Sequence, residues 1–159
     1  MLVSSAVDAQ DYYLELDGIP GGSNEAQHRN WIGILSFEHG IEIPGGGGAV
    51  GRAAGRPFFK NFRICKEIDK STPSIQGTVA RGTVVENAKF EVVGNGQVIL
   101  RYEFSKVRLK DYYISGEQGE MPRDCVSLAF ETIKVTYIAY DATGASTETV
   151  FEWDVESGH

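Results

Sequence analysis

Almost every apolar stretch of this chain repeats with a period of two, and one stretch breaks that rule. Residues 58–82 run FFKNFRICKEIDKSTPSIQGTVARG. Phe58, Phe62, Ile64 and Ile68 fall at even positions, with Lys60 and Lys66 interrupting the apolar face, the pattern of a half-buried strand. The pattern stops at Asp69-Lys70-Ser71-Thr72-Pro73, a helix-start signal. Thr72 is expected to cap the exposed amides, and Pro73 at the first helical position gives up an N–H that has no partner there. A short helix is predicted to follow, with Ile75 and Val79 on one face and Gly82 as its stop. One short helix among strands must plug or flank a sheet.

The other segments alternate. In residues 10–17, Tyr12, Leu14 and Leu16 share a face, and the run ends at Gly18-Ile19-Pro20-Gly21-Gly22. Residues 31–43 read as a second strand, with Trp31, Leu35, Phe37, Ile41 and Ile43 on one face and Ser36, Glu38 and Glu42 on the other. Val84, Ala88, Phe90 and Val92 form a third pattern. Gly94-Asn95-Gly96 is a hairpin signal, because Asn and Gly accept positive φ. Val98, Leu100, Tyr102 and Phe104 return, and Val107, Leu109 and Tyr113 continue after a bend. Val126, Leu128 and Phe130 alternate, then the phase flips to Ile133, Val135 and Tyr137, which suggests a β-bulge. Asp141-Ala142-Thr143-Gly144 turns the chain into a last strand with Thr149, Phe151, Trp153 and Val155. About eight strands without a βαβ rhythm predict a closed or nearly closed antiparallel barrel or a two-sheet sandwich.

At 159 residues the chain is expected to form a single domain, 1–159. The net charge of -7 argues against nucleic-acid binding, which needs clustered Lys and Arg, and against an acidic membrane surface. No segment approaches the roughly 20 apolar residues of a membrane-spanning helix. The opening MLVSSAVDAQ lacks basic residues followed by an apolar run, so synthesis in the cytoplasm and no leader-dependent export are expected. Cys65 and Cys125 are too few for a disulfide scaffold and are expected as reduced thiols in strands.

Searches for chemistry find little. Gly46-Gly47-Gly48-Ala49-Val50-Gly51 satisfies G-x-G-x-x-G, but a dinucleotide site needs the last glycine to open a helix. Here Arg52-Ala53-Ala54-Gly55-Arg56-Pro57 and a strand follow. No Lys-Ser/Thr follows the glycines either, so a phosphate loop is absent. His28, His39 and His159 are not at metal-ligand spacing, and His39 is expected as a satisfied core histidine. Carboxylate pairs such as Asp8 with Asp11 and Glu148 with Glu152 read as solvated faces. No catalytic residue, cofactor or metal is expected. Residues 44–57, PGGGGAVGRAAGRP, form a loop that is long for a compact domain, and it is either a free exposed loop or one ordered against a neighbour.

Four segments then carry a family likeness. Ile64-Cys65-Lys66-Glu67-Ile68-Asp69-Lys70-Ser71-Thr72-Pro73-Ser74-Ile75 resembles the F-T-K-x-I-D-K-S-T-P-x-L segment of the hemolysin-coregulated protein (Hcp) family, the tube protein of type VI secretion systems. Asp11-Tyr12-Tyr13-Leu14-Glu15-Leu16-Asp17-Gly18-Ile19-Pro20-Gly21 is similar to its opening strand and D-G-I-x-G turn. Gly45 to Gly48 with Ala49 match its polyglycine loop. Val126-Ser127-Leu128-Ala129-Phe130-Glu131-Thr132-Ile133-Lys134-Val135-Thr136-Tyr137 resembles its V-S-L-N-F-x-x-I-x-x-x-Y strand.

The resemblance implies a mainly β fold: an antiparallel two-sheet β-barrel with one short α-helix and a long glycine-rich loop. It also implies a homo-hexameric ring, rings stacked into a tube inside a sheath and below a spike protein, effector proteins carried in the lumen, and secretion without a signal peptide. The loop residues Gly45, Gly46, Gly47, Gly48, Ala49, Val50, Gly51, Arg52 and Arg56 are expected at a subunit interface, since the loop cannot bury itself. Ser36, Glu38 and Glu42 are expected to face the lumen. Two alternatives belong to other classes: a monomeric small-ligand-binding β-barrel, and a hydrolase whose site is assembled from distant carboxylates.

Overall fold

The structure, a computed structural model, describes residues 10–45 and 55–159. Among these residues it is mainly β, with one helix. The strands are β1 (Asp11–Leu16), β2 (Ile32–Ile34), β3 (Ser36–Glu38), β4 (Ile41–Glu42), β5 (Phe58–Phe59), β6 (Phe62–Glu67), β7 (Val84–Gly94), β8 (Gln97–Ser115), β9 (Arg123–Ala129), β10 (Thr132–Tyr140) and β11 (Ser146–Asp154); α1 (Ser71–Arg81) lies between β6 and β7. Nine strands form one antiparallel sheet with the path β2-β1-β7-β8-β9-β6-β3, from which β10 and β11 branch at β8. β4 and β5 make a separate two-stranded arm.

Residues 31–43 are not one strand. Ile32 and Ile34 are buried, whereas Leu35, Ile41 and Ile43, expected inward, are exposed. The reason is a change of partner. β2 pairs with β1 and β3 pairs with β6, and the bend between them is held by the Leu35 amide donating to the Cys65 carbonyl at 2.8 Å. This bend shifts the inward phase by one residue and joins the two ends of the sheet path. The path itself stays open, since β2 and β3 do not pair with each other.

The long strand β8 organises the rest. It is entered through a two-residue turn in which Asn95 (φ 53°) and Gly96 (φ 73°) both take positive φ, as the hairpin signal predicts. Its first half pairs with β10 and its second half with β9. The phase flip expected as a bulge near Phe130 is instead a break between β9 and β10. There the run leaves β6 for β11 as its outer neighbour. The irregular registers fall on β8 itself, at Val92/Val93 of its β7 pairing and between Lys110 and Tyr113 of its β9 pairing. Asp111, with φ 54°, lies in the second, which turns Tyr112 inward and Tyr113 outward.

The core is an aromatic stack around Phe62. Its ring centroid lies 5.0 Å from Phe90, 5.1 Å from Tyr102 and Phe104, and 5.6 Å from Phe37. Leu14, Leu16, Ile64, Val126, Leu128 and Ile133 surround it. Burying each such side chain contributes about 1.5–3 kcal/mol of transfer free energy.

Helix α1 starts two residues earlier than a Pro-first helix would. Lys70 is the N-cap, has helical backbone angles and makes no side-chain cap. Pro73 is the third helical residue, still within the first turn whose N–H groups lack intrahelical acceptors. Gly82 ends the helix as expected, in the left-handed conformation at φ 67°. Ile75 is fully buried, and Val79 packs against the core.

Candidate assembly surfaces

Lys66 occupies an inward position of β6, in phase with Phe62 and Ile64, and is 1% exposed. A buried ammonium needs oxygen partners, and the helix start supplies them. Its Nζ lies 3.0 Å from Asp124 Oδ1, 3.1 Å from Asp69 Oδ1, 3.0 Å from Thr72 Oγ1 and 3.3 Å from the Glu67 carbonyl. Thr72 does not cap the helix in the expected sense. Its hydroxyl accepts from the Asp69 amide and donates to Asp124 Oδ2 at 3.0 Å, where the Tyr112 hydroxyl also donates at 2.9 Å. Asp69 accepts from the Ser71 amide at 2.8 Å and from the Ser71 hydroxyl. Burial pushes the Asp69 carboxyl up, but hydrogen bonds from Ser71 and Lys66, with the Lys66 charge, outweigh it and hold it below its ordinary value. The Asp69–Thr72 segment therefore bolts α1 to β6 and β9.

A second polar cluster fastens the loop between β1 and β2. His28 is 1% exposed, stacks on Tyr13 at 4.3 Å and stands perpendicular to Trp31 at 4.7 Å. Its Nδ1 faces Glu25 Oε2 at 2.5 Å and its Nε2 faces Glu91 Oε1 at 2.7 Å, while Arg101 Nε donates to Glu91 Oε2 at 2.5 Å. The hydrogen bond from His28 holds the exposed Glu25 carboxyl below its ordinary value.

The two roots of the glycine-rich loop are fixed. Ile41 pairs with Phe59 and Glu42 with Phe58 in the β4–β5 arm, and the Lys60 amide donates to the Gly40 carbonyl at 2.9 Å. Phe59 packs against Phe130 and Trp153, whereas Ile41, Ile43 and Phe58 are exposed. Arg56 Nη2 donates to the Glu156 carbonyl at 2.8 Å, tying the second root to the C-terminal turn. Of the expected interface residues, Gly45 and Arg56 stand at these roots. Gly46, Gly47, Gly48, Ala49, Val50, Gly51 and Arg52 lie outside the described residues.

Ser36 and Glu38 are both exposed on β3. Ser36 heads a row that crosses four strands through Cys65 and Cys125 to Tyr113, and Glu38 pairs with Arg63 at 3.8 Å. Arg63 also lies over the Tyr113 ring, 4.9 Å from its centroid. Glu42 sits apart from them, on the arm. Cys65 and Cys125, expected as free thiols, are joined as a disulfide between β6 and β9. They are Cα partners in the pairing of those strands, which sequence separation of 60 conceals.

His39 does enter the aromatic core, between Phe59, Phe62, Tyr102 and Phe130. It is not fully satisfied there: its Nε2 is buried without a hydrogen-bond partner among the described residues. Burial lowers the ring's basicity, against a smaller opposing effect of a hydrogen bond with the Lys60 backbone. No helix among the described residues is long and apolar enough to cross a membrane.

A family model described as type VI secretion system effector, Hcp, matches residues 13–137. That is most of the chain. The chain belongs to the Hcp family. Solved structures share the Hcp-like fold at low identity. One described as a type six secretion system protein is 22% identical, with 95% of this chain and 99% of that chain covered and a TM-score of 0.86. Hcp1 from Salmonella typhimurium is 24% identical, covering 94% and 97%, at a TM-score of 0.79. A type VI secretion system effector from Yersinia pestis is 19% identical, covering 91% and 99%, at 0.78. No curated protein sequence matches the chain. The bolted helix start, from Asp69 to Pro73, thus falls within the matched Hcp region, and so do both roots of the glycine-rich loop.

Proposed function

We propose that this Hcp-family chain is a tube subunit of a type VI secretion system. In this reading single-domain subunits associate as homo-hexameric rings, the rings stack head to tail within a sheath and beneath a spike protein, and effector proteins travel in the lumen. A contact that does not close on itself generates such open filaments. The subunit performs no catalysis and is exported by the injection machinery. The family match over residues 13–137 carries this proposal.

Two features of the subunit support it. The β4–β5 arm leaves Ile41, Ile43 and Phe58 exposed beside the loop roots, apolar area suited to a neighbour. Ser36 and Glu38 give β3 a polar exposed face, as a wall lining a water-filled lumen requires. A monomeric ligand-binding barrel fits less well, because the aromatic stack around Phe62 fills the interior where a ligand would sit.

The native mass separates the two. Size exclusion with light scattering is expected to give about six times the 17.4 kDa chain mass, and electron microscopy to show rings. A 17.4 kDa species at high protein concentration would speak for the monomeric barrel.

A further inference from the structure

The chain has two cysteines, and the sheet sets them directly opposite each other on β6 and β9, with Cα atoms 4.1 Å apart. They share a row with Ser36 and Tyr113, whereas Ile64, Lys66, Asp124 and Val126 point to the other side of these strands and are buried. Cys125 is buried and Cys65 half-buried, so Cys65 is the sulfur that a small solute reaches first. Arg63, two residues away on the same side, carries its guanidinium over the ring of Tyr113, the partner of Cys125. The strands are also joined by groups other than the sulfurs. Their pairing runs from Phe62↔Leu128 to Glu67↔Arg123, and the Lys66–Asp124 ion pair joins them one residue away on the opposite face.

We propose that Cys65 and Cys125 form a reversible exchange site for low-molecular-weight thiols and disulfides, open as a dithiol in reducing medium and closed in oxidising medium, with the fold unchanged. On closing, the Cys65 thiolate attacks one sulfur of a small disulfide RSSR and expels RS⁻. The Cys125 thiolate then attacks the Cys65 sulfur of the mixed disulfide and expels the second RS⁻. The two protons lost by the cysteines go to the departing thiolates, so one dithiol and one RSSR become one protein disulfide and two RSH. Opening is the reverse. The closed bond spans 60 residues of sequence and constrains the unfolded chain, so closure hardens the subunit while leaving its surface as it was. The chemistry does not rest on the secretion reading. A subunit carried from a reducing to an oxidising compartment would, however, pass from the open form to the closed one.

The test equilibrates the full-length protein in mixtures of reduced and oxidised glutathione, then alkylates it for mass analysis and records circular dichroism and urea unfolding on the same samples. One transition between two alkylated thiols and none is expected, with superimposable spectra at both ends and a higher urea midpoint when closed. Cys125→Ser is expected to trap glutathione on Cys65, and Cys65→Ser to trap far less on Cys125. Loss of the folded spectrum on reduction would overturn the proposal, because the bond would then be needed for the fold. Two free thiols persisting in oxidised glutathione would overturn it too. Both of these readouts use the unsubstituted protein, so they decide the matter even if a serine variant fails to fold.

Discussion

Lys66 shows how one residue can join an element boundary to a core. Its position in phase with Phe62 and Ile64 already marks it in the sequence as a charge on an apolar face. The partners were not legible: Asp69 and Thr72 are near in sequence, but Asp124 comes from a strand that only the sheet topology brings alongside. Removing one partner of a buried pair leaves the others uncompensated. Lys66→Met is therefore expected to destabilise the fold by about 3–5 kcal/mol in urea unfolding. Glu25 gives a pH-dependent counterpart. Its folded carboxyl is held below its ordinary value by His28, so its contribution is present above the unfolded carboxylate range and is lost as pH falls through the lower folded value. His28 is also faced by Glu91, itself bound to Arg101, and by Tyr13. Glu25→Gln is expected to lower the urea midpoint at neutral pH, and the gap from the parent protein is expected to shrink below about pH 4. A gap that is constant with pH would contradict this. The cluster was invisible in the sequence, because His28 and Glu91 are 63 residues apart and nothing in either local pattern points to the other.

At the scale of elements, the helix start divides its labour between two residues. Thr72 makes three hydrogen bonds, two of them to buried charged groups, whereas Pro73 only occupies a first-turn position that needs no N–H donor. Thr72→Val is expected to cost about 2–3 kcal/mol, and Pro73→Ala less than about 1 kcal/mol, both read from chemical denaturation. The helix, its Gly82 stop and the Asn95-Gly96 turn were readable because each rests on local backbone chemistry. Residues 31–43 carry the pattern of one strand yet form several, because the bend at Leu35 is imposed by a change of partner from β1 to β6. Periodicity records a face, not the neighbour that defines it. The same limit hid the disulfide, since opposing positions on β6 and β9 become visible only once the pairing register is known.

For the whole molecule, the surface proposed for assembly is the β4–β5 arm with its loop. The double variant Ile43→Ser with Phe58→Ser changes exposed positions, so its unfolding free energy is expected to stay within about 0.5 kcal/mol of the parent protein. The proposed rings, measured by sedimentation velocity, are expected to dissociate in this variant at protein concentrations where those of the parent hold together. Deleting residues 45–56 is expected to abolish stacked tubes in electron micrographs; intact tubes would remove the loop from the assembly. The chain carries two tryptophans, and they divide between the two regions these experiments disturb. Trp31 stands perpendicular to the His28 ring, and Trp153 lies 6.1 Å from Phe59 at the base of the arm. Replacing either one by Phe would leave a subunit with a single built-in optical reporter. Trp31 would then follow the packing of the loop between β1 and β2 by its emission, and Trp153 would follow the proposed docking of one subunit on the next, with no dye attached.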